Sequence, residues 1–356
     1  MLLRLDKADD NSTIRDNLSA VALVGRFAWL GTDEGTCLER LEINGDHYGD
    51  HHRVDLGDLV GLPSDPDEEV DVEGLCWADD VLWVIGSHAA KRSKPKRTED
   101  PMEAANTDSI DEVLRKLAKL KSEGNRFLLA RLPLRDGGRE AGKGALLAGN
   151  EKRNELIDAL RQDRHLRGSL PRAFVEVDGK ETLVGSGSKE GGLDIEGLAA
   201  VGNRLFIGCR GPVLRGWAVI LDVEVVESKP NELHLVEPLR KHFVYLDGLG
   251  IRDLVLDGHD LLILAGPTAE LHGPARVYRY KGATSATEDT AASPEELFPI
   301  PHGERSDHAE GMDLIDLPAS DTEPPGRGLL VVYDSPAKAR REANGKGVMA
   351  DIFRLP

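Results

Sequence analysis

The chain has 356 residues, of which 40% are hydrophobic, and its formal net charge is −18 at pH 7. This negative balance argues against nucleic-acid binding, whose affinity rests on cationic side chains that neutralise phosphates. The sequence contains no run of about 18 uninterrupted apolar residues and no apolar stretch of a signal peptide at its start, so we expect no membrane span.

The three cysteines also bear on location. Cys37, Cys76 and Cys209 show no CxxC spacing. A sparse, odd number of cysteines is typical of reduced thiols and not of a disulfide framework. We therefore expect a cytoplasmic bacterial protein.

A five-residue pattern occurs five times, and an apolar run follows each copy after a short turn. The copies begin at residues 17, 71, 194, 250 and 308 and read NLSAV, DVEGL, DIEGL, GIRDL and HAEGM. Three of the four intervals are 54 to 58 residues long. Such a period, with several short strands per unit, is typical of propeller blades. The sequence therefore predicts an all-β fold, a single β-propeller domain over residues 1–356.

The remaining interval is 123 residues long and holds a partly helical insertion at about 90–170. Apolar periodicity predicts helices over Ser109–Leu120 and Asn154–Gln162, and a hairpin is expected around Asp178-Gly179. Strands at Arg126–Leu132 and Ala145–Leu147 would complete the second blade. Five blades are favoured, with six as the alternative if the interval contains a degenerate blade.

The last repeat is one strand short. After His308–Leu317 and Gly328–Tyr333, only Met349–Leu355 remains for pairing. We expect Met1–Leu5 to supply the fourth strand of this blade. Pairing of the N- and C-terminal strands would close the ring and remove an open sheet edge.

The third residue of each pattern should face the propeller axis, because the first strand of a blade lines the central channel. These residues are Ser19, Glu73, Glu196, Arg252 and Glu310. Strand alternation puts Asp71, Asp194 and His308 on the same face, two residues earlier. A glycine follows each of the three glutamates, where it would permit a bulge that fixes the direction of the carboxylate.

Three carboxylates around one axis repel one another unless they are compensated. At ~6 Å and an effective dielectric constant of about 20, each pair costs roughly 2.8 kcal/mol. Raised pKa values, pairing with Arg252 or a bound cation would relieve this repulsion. Ca²⁺ or Mg²⁺ suits such oxygen donors, and the candidate ligands are Asp71, Glu73, Asp194, Glu196 and Glu310. In an alternative interpretation, the glutamates cap backbone N–H groups of the adjacent blade and hold the ring together.

Candidate chemistry follows from the neighbours of these residues. His308 is a titratable base beside Glu310, and Asp307 precedes it, so these three are the candidate acid–base residues. Loops at one rim of a scaffold commonly build binding sites. The candidates for binding a small anionic ligand are Asp33, His88, Lys189, Arg210, Arg252 and Asp334.

Two further segments are candidate sites by their composition. The basic run Lys91–Arg97 is interpreted either as a docking patch for an anion or acidic partner or as a solvated loop. Gly185–Gly192 lacks the Gly-Lys-Ser/Thr ending of a phosphate loop, and a strand follows where a helix is needed, so no nucleotide site is expected.

The run Lys189–Leu198, together with Asp307–Gly311, resembles the bacterial family catalogued as domain of unknown function 3616. This family carries no activity to transfer. More distantly, the repeats resemble those of esterase-like phytase and SdiA-regulated propellers, in which such motifs face a central, often calcium-associated channel. The resemblance implies a propeller with an axial site.

Three functions fit these features. The first is an axial site that binds a divalent cation and a small anionic ligand. The second is a metal-assisted hydrolase of a phosphoester, ester or lactone, in which the metal lowers the pKa of bound water. The third is a noncatalytic propeller that binds a protein partner.

Overall fold

The computed structural model describes residues 1–5, 11–93, 95–96, 108–171, 173–177, 180–269, 273–303, 306–319, 324–343 and 345–356. The first elements are β1 (Leu2–Arg4), α1 (Asn11–Asp16), β2 (Leu18–Val24), β3 (Phe27–Thr32), β4 (Cys37–Asn44), β5 (His47–Asp55), α2 (Leu56–Leu59), β6 (Val72–Ala78) and β7 (Val81–Gly86). They are followed by β8 (Lys91–Arg92), α3 (Ile110–Ala118), β9 (Leu120–Lys121), β10 (Leu129–Arg135), β11 (Glu140–Ala141), β12 (Ala145–Leu147), β13 (Gly149–Asn150), β14 (Arg153–Asn154), α4 (Glu155–Gln162), β15 (Ala173–Val177) and β16 (Lys180–Val184). The last elements are β17 (Asp194–Val201), β18 (Arg204–Leu214), β19 (Trp217–Lys229), β20 (Glu232–Tyr245), β21 (Gly250–Asp257), β22 (Asp260–Gly266), β23 (Ala275–Tyr280), β24 (Thr290–Ala292), β25 (Glu295–Ile300), β26 (His308–Leu317), β27 (Gly326–Asp334), β28 (Gly347–Met349) and β29 (Asp351–Arg354).

Five sheets surround one axis in the described part of the chain. Their strand orders, from the axis outward, are β2-β3-β4-β5, β6-β7-β10-β12, β17-β18-β19-β20, β21-β22-β23-β25 and β26-β27-β29, and the parallel pair β12–β20 joins the second and third of them edge to edge. The inner strands β2, β6, β17, β21 and β26 contact one another in a closed cycle. The predicted all-β propeller is confirmed, and each five-residue pattern lies in one of these inner strands.

Apolar side chains fill the space between each pair of adjacent sheets. Five buried clusters result, the largest of them between the second and third sheets. In that cluster Trp83 and Ile85 of β7 pack with Ile195 and Leu198 of β17. Alternation along each strand supplies one apolar face to each neighbouring sheet, so sheet packing stabilises the whole ring.

The ends of the chain close the ring, but not as the sequence suggested. β1 pairs antiparallel with β28, with Leu2 opposite Met349, and the N–H of Ala350 donates to the carbonyl of Met1. The predicted pairing of N- and C-terminal strands is therefore confirmed. β1 also pairs with β5 and so extends the first sheet, whereas the last sheet keeps three strands. The prediction that Met1–Leu5 forms the fourth strand of the last blade was wrong, because β1 pairs with β28 and β5, whereas the strand that pairs with β27 in the last sheet is β29.

The insertion completes the second sheet and then builds a small sheet of its own. β10 and β12 are the outer strands of the second sheet, close to where the sequence predicted them. β15, β16, β9 and β8 form a separate four-stranded sheet. Its strands β15 and β16 flank the expected hairpin turn, but Asp178-Gly179 lies outside the described residues.

The two predicted helices are present and capped as their sequences suggest. The Ser109 hydroxyl accepts from the N–H of Glu112 at the start of α3, and the Asn154 side chain accepts from the N–H of Ile157 at the start of α4. Such caps satisfy amide groups that have no partner inside the helix. α4 buries its apolar face, whereas α3 leaves Ile110 and Leu114 exposed.

Candidate functional site

A β-bulge occurs at the third residue of every pattern. The pairing register shifts at Ser19, Glu73, Glu196, Arg252 and Glu310. A bulge leaves one residue unpaired in the ladder and redirects its side chain. Since the inner strands form a closed cycle, the five bulged residues point towards a common axis.

Glycine after the glutamate allows adjacent inner strands to approach closely. A methyl group on Gly74 would lie 2.8 Å from the Cβ of Leu198, and one on Gly311 would lie 2.9 Å from the Cα of Ala20. Ala20 and Asp253 follow the other two bulges, so the bulge itself does not require glycine. The glycines are needed for the packing of one inner strand against the next.

Arg252 lies between two of the glutamates. Its Nη1 is 3.0 Å from Oε2 of Glu196 and also donates to Glu310. Arg210, from the end of the second strand of the same sheet as Glu196, binds the other carboxylate oxygen of Glu196 at 2.7 Å. Both guanidinium groups also donate to the carbonyl of Pro267. The two arginines are thus the counter-ions of this side of the axis.

Two carboxyls beside these pairs titrate near neutrality. Burial raises the pKa of Glu310 to about 7 against the opposing effect of Arg252. Burial and the charge of Glu196 raise the pKa of Asp194 to about 7, although Arg210 lies 3.8 Å away. Both groups can therefore gain or lose a proton at physiological pH.

Asp71 has its own pair of cations. Lys91 Nζ lies 2.9 Å from its Oδ1, and Arg126 donates to its Oδ2. Arg126 also binds Glu123 at 2.7 Å. Lys91 therefore compensates a buried charge instead of forming a docking patch, and Arg92 likewise binds Glu190 at 2.5 Å. Lys94 and Arg97, from the same basic run, lie outside the described residues.

Two carboxyls at the axis lack such compensation. Oδ1 of Asp33 is buried without a hydrogen-bond partner among the described residues. Glu73 makes no hydrogen bond or ion pair within the same part of the chain. Burial and the charges of Asp71 and Asp334 raise the pKa of Asp33 to about 7. Burial, with Asp71 and Glu196, also raises the pKa of Glu73 well above its usual value.

These side chains form one group, which we call the axial cluster. Its carboxylates are Asp33, Asp71, Glu73, Asp194, Glu196, Glu310 and Asp334, and its cations are Lys91, Arg126, Arg210 and Arg252. The seven carboxylates outnumber the four cations when all are ionised. The cluster is therefore short of positive charge, and the half-buried Asp33 and Glu73 make no hydrogen bond or ion pair to any of its cations in the described part of the chain.

The three candidate acid–base residues are not brought together. Asp307 accepts from Arg340 at 2.9 Å and from the N–H of Ala337 at 2.7 Å, so its carboxylate anchors the C-terminal loop. His308 Nδ1 is 3.5 Å from Oδ2 of Asp334. Of the three, only Glu310 accepts from Arg252, which joins it to Glu196.

Two other predicted ligand-binding residues, His88 and Lys189, differ in their exposure. His88 is buried, its Nδ1 donates to the carbonyl of Gly86 at 2.8 Å, and its Nε2 is 2.8 Å from the Asn154 amide. Burial lowers the pKa of His88 to about 4, so it is a neutral structural residue. Lys189 is exposed in the segment before β17, and its charge acts to lower the pKa of Asp194.

The side chains that accept from backbone N–H groups of an adjacent sheet are aspartates, and not the glutamates that the sequence suggested for this role. Asp253 accepts from the N–H of Met312 at 2.7 Å, and Asp313 accepts from the N–H of Leu23 at 2.6 Å, so each joins two neighbouring sheets. Sequence reasoning missed both residues, although they occupy positions one and three residues after a bulge. It also missed Arg126, which lies in the insertion and carries no repeat signal.

The five predicted metal ligands do not form a preorganised metal centre. In the described ranges, no group of three or more His, Cys, Asp or Glu side chains could hold a metal ion. The oxygen donors suit a hard cation, but Arg252 lies between Glu196 and Glu310, where such an ion would bind. A cation at the axis would instead meet the unpaired Asp33 and Glu73.

Among the described helices, none is long and apolar enough to cross a membrane. The three cysteines are free thiols. Whether the protein is cytoplasmic stays a prediction.

Comparison with known proteins gives a family. The family described as "Protein of unknown function (DUF3616)" matches residues 17–351. No curated protein matches the chain.

Solved structures similar to the chain include propellers of several kinds. They include glutaminyl cyclase from Myxococcus xanthus (10% identity, 100% of this chain and 96% of that one, TM-score 0.39). A PQQ-bound aldose sugar dehydrogenase from Streptomyces coelicolor also matches (12% identity, 96% of this chain and 94% of that one, TM-score 0.37). The β-propeller domain of Myceliophteria thermophila Cps50 matches as well (10% identity, 96% of this chain and 98% of that one, TM-score 0.35). At these identities no residue role is transferred. The more distant likeness to esterase-like phytase and SdiA-regulated propellers stays a hypothesis.

Proposed function

The chain belongs to the DUF3616 family of proteins of unknown function, and we propose from its own geometry that the axial cluster binds a small ligand through a positively charged group. The observation that carries this proposal is the pair of uncompensated carboxyls, Asp33 and Glu73. A carboxylate that is removed from water without a partner is costly, and a bound cation removes that cost.

The remainder of the cluster supports a cationic ligand over an anionic one. Arg210 and Arg252 already bind Glu196, Glu310 and the carbonyl of Pro267. An anion would therefore have to compete with existing ion pairs. A cation, in contrast, would meet carboxyl oxygens that have no competing donor. Ca²⁺, Mg²⁺ and a primary ammonium group share this chemistry.

Binding should depend on pH because the ligand must displace protons. Asp33 has a pKa of about 7 and Glu73 is shifted in the same direction. A cation that favours the ionised carboxyls should bind more tightly at pH 8 than at pH 6 and should release protons on binding.

Calorimetric titration at both pH values tests the proposal, with CaCl₂, MgCl₂ and ethylamine as separate ligands. Asp33→Asn combined with Glu73→Gln should abolish binding of whichever cation binds the natural chain. Glu34→Gln is a matched control, because Glu34 is the exposed neighbour of Asp33. Absence of binding by all three cations at pH 8, or retention of binding in the double variant, would contradict the proposal.

Hydrolysis of a bound phosphoester, ester or lactone is a second candidate, favoured by the pKa of about 7 of Glu310 and Asp194. A carboxyl that titrates near the working pH is suited to general acid–base catalysis. An assay on generic substrates of the three classes, compared with Glu310→Gln, tests it. Equal turnover by the variant would exclude a catalytic role for this carboxyl.

A further inference from the structure

A large cavity lies between the propeller and the inserted sheet, away from the axis. Its volume is about 1220 Å³, and none of the axial cluster residues lines it. The segment after β7, the residues around β9, helix α4 and the loop after α4 form its walls. The volume exceeds the range of about 300–1,000 Å³ that is typical of sites for drug-sized ligands.

The floor of this cavity is apolar. Ala90, Leu120, Phe127, Ile157 and Leu170 line it, and all five are buried. His88 also lies there, but both its ring nitrogens are bonded within the protein. The floor therefore offers a surface for the apolar body of a ligand.

The rim of the cavity is cationic, in contrast to the rest of the molecule. Its charged residues with a partner are Arg153, bound to Asp158 at 2.8 Å, and Glu123, bound to Arg126. Five other cations line the cavity: Lys119, Lys121, Lys152, Arg161 and Arg167. None of these five side chains has an ion-pair partner among the described residues.

This arrangement is unusual for a chain with a net charge of −18. At the axis every described cation is paired with a carboxylate, whereas here the only further acidic residue in the lining is Glu151. A second small cavity of about 340 Å³ adjoins the first and shares Lys119 and Lys121 with it. Its wall adds Arg115 and Lys116, but these two side chains are ion-paired with Glu112 and Asp108, so the unpaired cations are those of the first cavity.

We propose that this cavity binds an amphipathic organic anion, in which a phosphate or carboxylate group meets the cationic rim and an aliphatic or aromatic body covers the apolar floor. Neither the anionic group nor the apolar body of the ligand provides the affinity alone. A free inorganic anion gains nothing from Leu120, Phe127 and Leu170, and an uncharged apolar molecule gains nothing from the cations.

Octyl phosphate tests this proposal, since it carries both parts. Inorganic phosphate and 1-octanol each carry one part. In calorimetric titrations at low ionic strength, below the concentration at which the probe aggregates, octyl phosphate should bind at least about tenfold more tightly than either half. Its affinity should fall as salt is added, because the contacts are partly exposed.

Charge reversal locates the site. Lys121→Glu and Arg161→Glu should each weaken octyl phosphate binding by about tenfold, and the double variant by more. Arg164→Glu is the matched control, because Arg164 is exposed just beyond α4 and does not line the cavity. Unfolding temperatures of all variants verify that the fold is kept. Failure of octyl phosphate to bind, affinity in both rim variants equal to that of the natural chain, or an equal loss of affinity in the control would each overturn the proposal.

Discussion

Replacing Asp33 by Asn should stabilise the protein increasingly as the pH rises. Asp33 carries a buried oxygen without a partner, and its side chain makes no hydrogen bond in the described structure that the substitution would remove. Asn has nearly the same shape but no charge. The substitution therefore removes the repulsion from Asp71 and Asp334 with little change in packing.

The size of the effect follows from the pKa. The pKa of Asp33 rises from 3.8 in the unfolded chain to about 7 in the fold. A shift of about three units corresponds to about 4 kcal/mol, which partial exposure of the side chain reduces to about 2–4 kcal/mol. Because the folded-state pKa is raised, the natural chain bears no penalty below pH 3.8, and the penalty is complete above about pH 7.

The stability advantage of Asp33→Asn should accordingly grow by about 2 kcal/mol between pH 5 and pH 8. Denaturant unfolding at both pH values measures it, and the difference between pH values cancels contributions that do not titrate. Glu34→Gln should show no comparable change. An advantage that is constant or shrinks with pH would refute the reasoning. If Asp33 also binds a cation, the same variant must lose that binding while it gains stability, as expected for a residue retained for function.

Three further predictions concern the rest of the ring. Arg252→Met should destabilise the fold by about 3–5 kcal/mol in denaturant unfolding at pH 7.5, because it leaves the Glu310 carboxylate without its cation and Glu196 with Arg210 alone; adding Glu310→Gln should recover part of this loss, and no recovery would contradict the bridging role. Asp222→Asn should cost about 3 kcal/mol at pH 7, since Asp222 binds two arginines and a histidine. Those partners lower the pKa of Asp222, so the difference from the natural chain should shrink as the pH falls below 3.8, as acid-unfolding curves will show. Gly74→Ala should cost about 1–3 kcal/mol in thermal unfolding, whereas Gly61→Ala, with no atom within 4 Å of the added methyl group, should be close to neutral.

Much of the architecture is determined locally and could be predicted from the sequence. Each repeat couples a bulged inner strand to an apolar second strand, and three of the four intervals between repeats are 54 to 58 residues long. The helices α3 and α4 are likewise marked by their own caps and periodicity. Equivalent positions in successive repeats must face the same axis, so Glu73, Glu196 and Glu310 could be grouped before the fold was known.

The partners of those residues depend on the tertiary structure. Arg126 reaches Asp71 from a segment 55 residues away, and nothing in its local sequence indicates this. Asp307 and His308 are adjacent in sequence, yet Asp307 accepts from Arg340 whereas His308 lies beside Asp334. Repeat position fixes which way a strand residue points, but an ion pair depends on which distant side chain reaches it. For this reason the sequence determined the ring and its acidic axis, whereas the tertiary structure alone decided that Asp33 and Glu73 are the carboxyls left without a partner.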